Sequence, residues 1–385
     1  MRRDIFSEEH EMFRTQVRRL IEHEIEPKIP QWNRDGMSDR ESWRKLGAAG
    51  FLGANAPEEY GGGGVDFLYD AIVIEEMARV RAHGLMMGLH SDICLPYITA
   101  YGNEEQKRRY IPGACSGELI LAIAMTEPGT GSDLAAVQTN ARRDGDDYIL
   151  NGAKMFISNG QIADAVIVVC KTDPKAKPAH RGVSLIIVDR DTPGFVRGRK
   201  LDKLGFKGQD TSELFFEDCR VPAANLLGQE GQGFKMLMEK LQQERLVCAV
   251  GALASARRCL DDTIAYTKQR KAFGQPIAAF QNTQFKLAEM ETEVEVGQAF
   301  VDRCLVAHVR GDDIVSEVSM AKWWTTDLLK KVSSQCLQLH GGYGFMNEFP
   351  VATDYADAAI QSIYAGTNEI MKVIIARRMG LDNRA

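Results

Sequence analysis

The chain has 385 residues, 44% of them hydrophobic and 26% charged, which suffices for a large core and more than one packed domain. A formal net charge of −6 supplies no general field for nucleic acid or an anionic membrane. The 8 cysteines stand singly, with no Cys-x-x-Cys and no Cys/His grouping, so neither a zinc motif nor a disulfide framework is indicated.

The opening residues Met1–His10 turn acidic at once and contain no apolar core. No secretory signal or Arg-rich leader is visible there, and no apolar run reaches the length that spans a bilayer. Residence in a bacterial cytoplasm is the expectation. From Glu9 to Ile25, the residues Met12, Phe13, Val17, Leu20 and Ile21 recur at helical spacing. Ser38-Asp-Arg-Glu41 and Asn103-Glu-Glu-Gln106 both match a capping box. Tyr60-Gly-Gly-Gly-Gly64 reads as a turn, because no Gly-Lys-Ser/Thr follows to make it a phosphate cradle.

Near Glu118 the pattern changes. Short apolar runs at Leu119–Met125, Tyr148–Leu150, Ala165–Cys170, Val183–Val188 and Ser212–Phe216 are punctuated by Gly, Asp, Asn and Pro. From about Gly233 long helical stretches return, including Gln284–Val309 and Val315–Leu339. The order of helices, strands and helices predicts an α+β chain with segregated domains: 1–118 helical, 119–232 β, 233–385 helical. There is no internal repeat and no low-complexity tract.

Five segments carry candidate chemistry. Met125-Thr-Glu-Pro-Gly-Thr-Gly-Ser-Asp133 is a Gly-rich loop after a strand, able to bring backbone N–H groups to an anion or simply to connect strands. Lys154-Met-Phe-Ile-Ser-Asn-Gly160 is a strand ending in an Asn-Gly turn. Tyr266-Thr-Lys-Gln-Arg-Lys-Ala-Phe-Gly-Gln-Pro276 offers an arginine whose planar fork suits a pyrophosphate, or else an exposed basic patch. Gln338-Leu-His-Gly-Gly-Tyr-Gly-Phe345 permits close backbone approach or a helix C-cap. The fifth is Gln361-Ser-Ile-Tyr-Ala-Gly-Thr-Asn-Glu-Ile-Met371.

Together these segments resemble the signatures of the acyl-CoA dehydrogenases, over nearly the whole chain from Phe6–His10 to Arg377. Thr211–Asp218 and Tyr364–Lys372 are nearest to the long-chain branch of that family. The resemblance implies an N-terminal helical domain, a central β domain and a C-terminal four-helix bundle, with FAD between the last two, in a homotetramer. It assigns Ile123, Met125, Thr126, Ser132, Phe156, Ile157 and Ser158 to the flavin side. Arg270, Phe273, Gln281, Gln338, Gly341 and Gly342 fall to the pyrophosphate and adenosine side, with Arg270 reaching a neighbouring subunit's cofactor. Thr367, Asn368 and Glu369 border the cofactor. Many relatives carry their catalytic glutamate at the place of Ala365. In the long-chain and isovaleryl branches the base comes instead from a helix at the motif seen here as Lys240-Leu-Gln-Gln-Glu-Arg-Leu246, which nominates Glu244. Taken alone, Glu244 could equally be a solvated helix carboxylate paired with a nearby basic side chain.

The implied reaction takes an α-proton and a β-hydride from a saturated acyl-CoA. A desolvated carboxylate suits the proton, and donors at the thioester oxygen make that proton more acidic. The Ala365 N–H would be one such donor, and a backbone donor survives loss of a side chain. Ser132, Ala179, His180, Lys235, Gln242, Gln243, Arg245 and Gly366 fall where relatives meet the thioester, pantetheine or CoA. Reduced flavin would pass electrons to electron-transferring flavoprotein. Nucleic-acid binding and stable membrane insertion are not expected. A medium or long straight chain in fatty-acid β-oxidation is the expected substrate. A short branched substrate, a flavin oxidase or monooxygenase, and a non-catalytic binding protein are the alternatives.

Overall fold

A computed structural model describes residues 3–381; Met1, Arg2 and the last four residues lie outside the described residues. The first helices are α1 (Glu8–Leu20), α2 (Ile29–Asp35), α3 (Arg40–Ala48), α4 (Phe67–Arg79), α5 (Leu95–Tyr101) and α6 (Glu104–Ser116). The helical spacing read from Glu9 to Ile25 is divided, since α1 passes into a π-helical turn at Ile21–Ile25. Asn103 and Gln106 form the expected capping box of α6. At α3 the cap falls one residue later than expected. Asp39 accepts from Ser42 N, and the Ser38 hydroxyl instead accepts from Trp43 Nε1.

The strands are β1 (Leu121–Ala124), β2 (Asn140–Asp144), β3 (Asp147–Ser158), β4 (Ala165–Lys171), β5 (Val183–Asp189), β6 (Phe195–Lys200), β7 (Thr211–Pro222) and β8 (Leu226–Leu227). They form one mixed sheet in the order β6-β7-β3-β2-β4-β5-β8, with β1 parallel to β4. The continuous apolar run of β4 reflects burial on both faces. Ala165, Ile167 and Val169 pack toward α5 and α6, while Val166, Val168 and Cys170 pack against Leu150, Leu214 and Phe216 of the same sheet.

The last region holds α7 (Gly233–Gln269), α8 (Gln281–Val309), α9 (Val315–His340), α10 (Pro350–Gln361) and α11 (Asn368–Arg378). Leu246, Ala249, Leu253, Ala256 and Leu260 of α7 share a core with Val294 and Val301 of α8 and Val318, Leu329 and Val332 of α9. Helix α4 joins that core through Phe67, Leu68 and Ala71. The N-terminal region is thereby clamped to the C-terminal bundle, and the seam between them opens toward the ends of β1 and β3. No described helix is long and apolar enough to cross a membrane.

Candidate active site

A cavity of about 260 Å³ occupies that seam. Helix α4 contributes Val73, Ile74 and Met77, the Met86–Ile93 segment contributes Gly88 and Leu89, and α7 contributes Glu244, Val247, Cys248 and Gly251. The wall is closed by Ile123, Met125, Thr126, Phe156, Ile157 and Ser158 from the sheet and by Tyr364 and Ala365 from the loop before α11.

Glu244 is 4% exposed, and Tyr97 Oη donates a hydrogen bond to its Oε1 at 2.8 Å. Burial pushes the Glu244 carboxyl up to about 7. The Tyr97 hydrogen bond and the charges of Arg245 and Lys240 pull the other way, and burial prevails. A carboxylate so placed is poised to take up a proton near neutral pH.

On the same cavity as Glu244, Ala365 has φ +51° and Gly366 has φ +84°, two successive left-handed residues that turn the loop sharply. Ala365 N–H has no backbone partner among the described residues. The turn is anchored from α9. Lys322 Nζ donates to Gly366 O at 2.8 Å and to Asn368 Oδ1 at 3.0 Å, and Asn368 Nδ2 donates to Thr326 Oγ1 and Asp327 Oδ1 at 2.9 Å each.

The sheet wall is held as firmly. Lys154, fully buried, pairs with Glu127 at 2.9 Å and donates to Met125 O at 3.0 Å, while Met155 N donates to Thr126 O. Between Lys154 and Ile157 the β3–β7 register slips, and Phe156 takes φ +61° with 64% of its surface exposed. An aromatic ring left this bare beside an apolar cavity suits a planar ligand. A second cavity of about 470 Å³ is lined by Tyr266, Arg270, Gln338, Gly341, Gly342 and Tyr343, and no residue lines both. Nothing but the adjoining chain lies within 4 Å of where a Cβ would stand on Gly129, Gly131, Gly341 or Gly342, so backbone there can meet a ligand closely. A bare aromatic wall, an arginine and open glycines are a donor set that fits FAD.

Family models for the N-terminal, middle and C-terminal domains of acyl-CoA dehydrogenase match residues 7–118, 122–219 and 231–380. The chain belongs to the acyl-CoA dehydrogenase family. It is 50% identical over 377 residues to the mitochondrial long-chain specific acyl-CoA dehydrogenase of Sus scrofa, covering 98% of this chain and 88% of that one. The crystal structure of an acyl-CoA dehydrogenase from Geobacillus kaustophilus superposes with a TM-score of 0.97 at 53% identity, covering 98% of this chain and 100% of that one. An acyl-CoA dehydrogenase from Bacillus anthracis complexed with FAD superposes with a TM-score of 0.90 at 33% identity, covering 97% and 67%. This chain is thus an FAD-dependent oxidoreductase of that fold.

Within this acyl-CoA dehydrogenase the nominated residues separate into groups. Glu244, Ala365, Ile123, Met125, Thr126, Phe156, Ile157 and Ser158 meet at the first cavity. Arg270, Gln338, Gly341 and Gly342 meet at the second, with Phe273 (96% exposed) and Gln281 exposed beyond Arg270. Ser132 and Ala179 are exposed, and the His180 ring lies 5.2 Å from that of Phe234, next to exposed Lys235. Gln242 bonds to Asp312 O and Ile314 N, and Gln243 to Asp92 O and His308, so both tie α7 to neighbouring backbone. Arg245 is buried, and its Nε has no hydrogen-bond partner among the described residues. Thr367 caps α11, Asn368 is 3% exposed and turned into the α9 contacts, and Glu369 is exposed.

Sequence reasoning passed over Tyr97 as the partner of Glu244 and Lys322 as the anchor of the 365–368 turn. Lys322 left a signal: it stands between Val318 and Leu329 on the buried stripe of α9, where a cation needs partners.

Proposed function

We propose that this enzyme converts a saturated, straight-chain acyl-CoA of medium or long chain length to the trans-2-enoyl-CoA, in fatty-acid β-oxidation, with Glu244 as the base. The observation that carries this reading is a buried carboxylate, held near neutrality by burial, at the wall of a largely apolar cavity that faces both the flavin-side residues and Ala365. Glu244 takes the α-proton on a carboxylate oxygen. The Ala365 N–H donates to the thioester oxygen as negative charge develops there, a kind of contact that contributes ~3–4 kcal/mol. Bound FAD supplies the acceptor for the hydride that leaves Cβ. The apolar residues of α4, the Met86–Ile93 segment and α7 exclude water and align the chain; each buried methylene adds ~0.8 kcal/mol.

Two absences of side chain support a long substrate. A side chain beginning at Gly88 would meet Val247 Cγ1 at 3.2 Å, and one at Gly251 would meet Ile74 Cγ2 at 3.6 Å. Both glycines line the cavity and put no side chain into it.

The second cavity supports a shared cofactor site. Arg270, Gln338, Gly341 and Gly342 would hold the pyrophosphate and adenosine of a neighbouring subunit's FAD, in a homotetramer. Phe273, Phe345 (81% exposed) and Met346 (44% exposed) are apolar surface that assembly would cover. Electron-transferring flavoprotein is the proposed acceptor and the bacterial cytoplasm the proposed compartment.

Anaerobic titration of the flavoprotein with saturated acyl-CoAs of graded length, isovaleryl-CoA included, tests the assignment. Bleaching of the flavin is expected to be fastest with medium or long straight chains. Fastest bleaching by isovaleryl-CoA would move the assignment to the branched class. Absence of bleaching by every thioester would overturn the dehydrogenation.

A further inference from the structure

Two carboxyls face the acyl cavity and have no part in the chemistry above. Asp70 lies on α4 within the apolar run Phe67-Leu-Tyr-Asp-Ala-Ile-Val-Ile74, and Asp92 lies in the π-helical turn before α5. Each is 3% exposed, both line the cavity, and the two carboxyls are near enough to shift each other's proton affinity. Asp70 Oδ2 and Asp92 Oδ1 have no hydrogen-bond partner among the described residues, and no arginine or lysine lines the cavity.

The pair sits close to the base. Asp92 Oδ2 is 3.3 Å from the point where a side chain on Gly88 would begin, and Val247 Cγ1 is 3.2 Å from the same point. Val247 follows Glu244 by three residues on α7, so it lies one turn away on the same face. An acyl chain leaving Glu244 along Val247 therefore passes the two carboxyls.

Burying two acids in an apolar wall is unfavourable unless their hydrogen-bonding capacity is used. A plain alkyl chain uses none of it. Burial above all pushes both carboxyls up, Asp70 to about 8; Asp70 raises Asp92 further, while the contact with Asp92 holds back part of the rise at Asp70. With Asp70 at about 8 and Asp92 raised as well, the pair retains protons near neutral pH, so it can donate an O–H into the cavity while carboxyl oxygens remain to accept. A hydroxyl both gives and takes a hydrogen bond and matches this pair. An ammonium group only gives, and a carboxylate only takes and would find no cation in the wall.

We propose that Asp70 and Asp92 form a specificity site for acyl-CoA substrates whose chain carries a hydroxyl group beyond Cβ. This rests on the dehydrogenase reading, and it adds a substrate class to that reading.

The test compares acyl-CoAs of equal length with and without one hydroxyl, placed at successive carbons beyond Cβ. In the wild-type holoenzyme, kcat/KM is expected to be at least ~10-fold higher for one hydroxyl position than for the plain chain, the scale of a satisfied against an unsatisfied buried polar group. In Asp70→Ala and Asp92→Ala the ratio of hydroxylated to plain substrate is expected to fall to about one or below. A binding readout accompanies it: Kd of the same pairs on the Glu244→Gln protein, which holds substrate without turning it over. Loss of the hydroxyl preference at every position in the wild type would overturn the proposal, whether or not the variants fold. So would its persistence in both alanine variants, or a stronger preference for an ammonium- or carboxyl-bearing chain. If no thioester bleaches the flavin, the base assignment has failed. If plain chains bleach it and hydroxyls make no difference in rate or Kd, only the carboxyl-pair assignment has failed.

Discussion

Replacing Tyr97 by Phe removes one oxygen and leaves the rest of the Glu244 environment in place. A hydrogen bond to a charged acceptor contributes about 1.5–3 kcal/mol, and one to a neutral acceptor about 0.5–1.5 kcal/mol. The Tyr97 bond therefore favours the carboxylate over the protonated acid by roughly 1–1.5 kcal/mol, or about one pH unit. Glu244 stands at about 7 with the bond present, because burial raises it and Tyr97 holds part of that rise back. Without the bond it moves to about 8. The base works as the carboxylate, so the rate of flavin reduction rises with pH through this value. At pH 7 the ionised fraction falls from about one half to about one tenth, a roughly 5-fold loss that disappears by about pH 9. Anaerobic stopped-flow bleaching with a saturating acyl-CoA, followed from pH 6 to 9.5, reads the ascending limb directly. A limb that stays in place or moves to lower pH would refute this reasoning. A loss of equal size at every pH would make Tyr97 a positioning residue only.

Three further substitutions separate chemistry from scaffold. Glu244→Gln should lower flavin reduction by about 10²–10⁴-fold, as loss of a general base does. It should also raise stability at pH 8 by up to ~3 kcal/mol: the folded carboxyl sits near 7, above its unfolded value, so it costs stability increasingly from about pH 4.5 to 7 and nothing below. Urea unfolding at pH 8 and at pH 4 checks the sign. Lys322→Met leaves Gly366 O and Asn368 Oδ1 without their buried donor; a loss of about 2–3 kcal/mol in denaturant unfolding is expected, together with slower flavin reduction as the Ala365 turn loosens. Gly88→Leu adds a side chain to the cavity wall where Val247 Cγ1 and Asp92 Oδ2 already stand 3.2 and 3.3 Å from its Cβ position, so bulk is displaced into the cavity. If three or four methylenes are excluded at ~0.8 kcal/mol each, kcat/KM for long chains falls roughly 100-fold while the shortest substrates keep theirs. Equal losses at all lengths would show that Gly88 does not limit the acyl channel.

How much of this was legible in the sequence depended on whether the determining contact was local. The run Ala165–Cys170 announced β4 because both of its faces are buried. Strands β2 and β6, Asn140-Ala-Arg-Arg-Asp144 and Phe195-Val-Arg-Gly-Arg-Lys200, escaped notice because they are mostly polar and are held by backbone pairing to β3 and β7. The capping box at Asn103 lies within four residues and was readable. At Asp39 a competing local donor set decided: the carboxylate takes Ser42 N and Trp32 Nε1, and Ser38 is left to Trp43. The same rule governs the site. Glu244 could be nominated because two segments, 244 and 365, change together in the family it resembles. Its environment could not be, since Tyr97 is 147 residues away in sequence and reaches it only after α5 packs beside α7. Lys322 crosses 44 residues to Gly366. Nothing in the sequence singled out Asp70 or Asp92, 22 residues apart, and only the cavity between α4 and the Met86–Ile93 segment brings them together. Residue type thus revealed which groups could do chemistry, while their protonation state and pairing arise from tertiary burial. For that reason the pH limb of Tyr97→Phe and the hydroxyl series, both readings of environment, bear more directly on the mechanism than substitution of Glu244 alone.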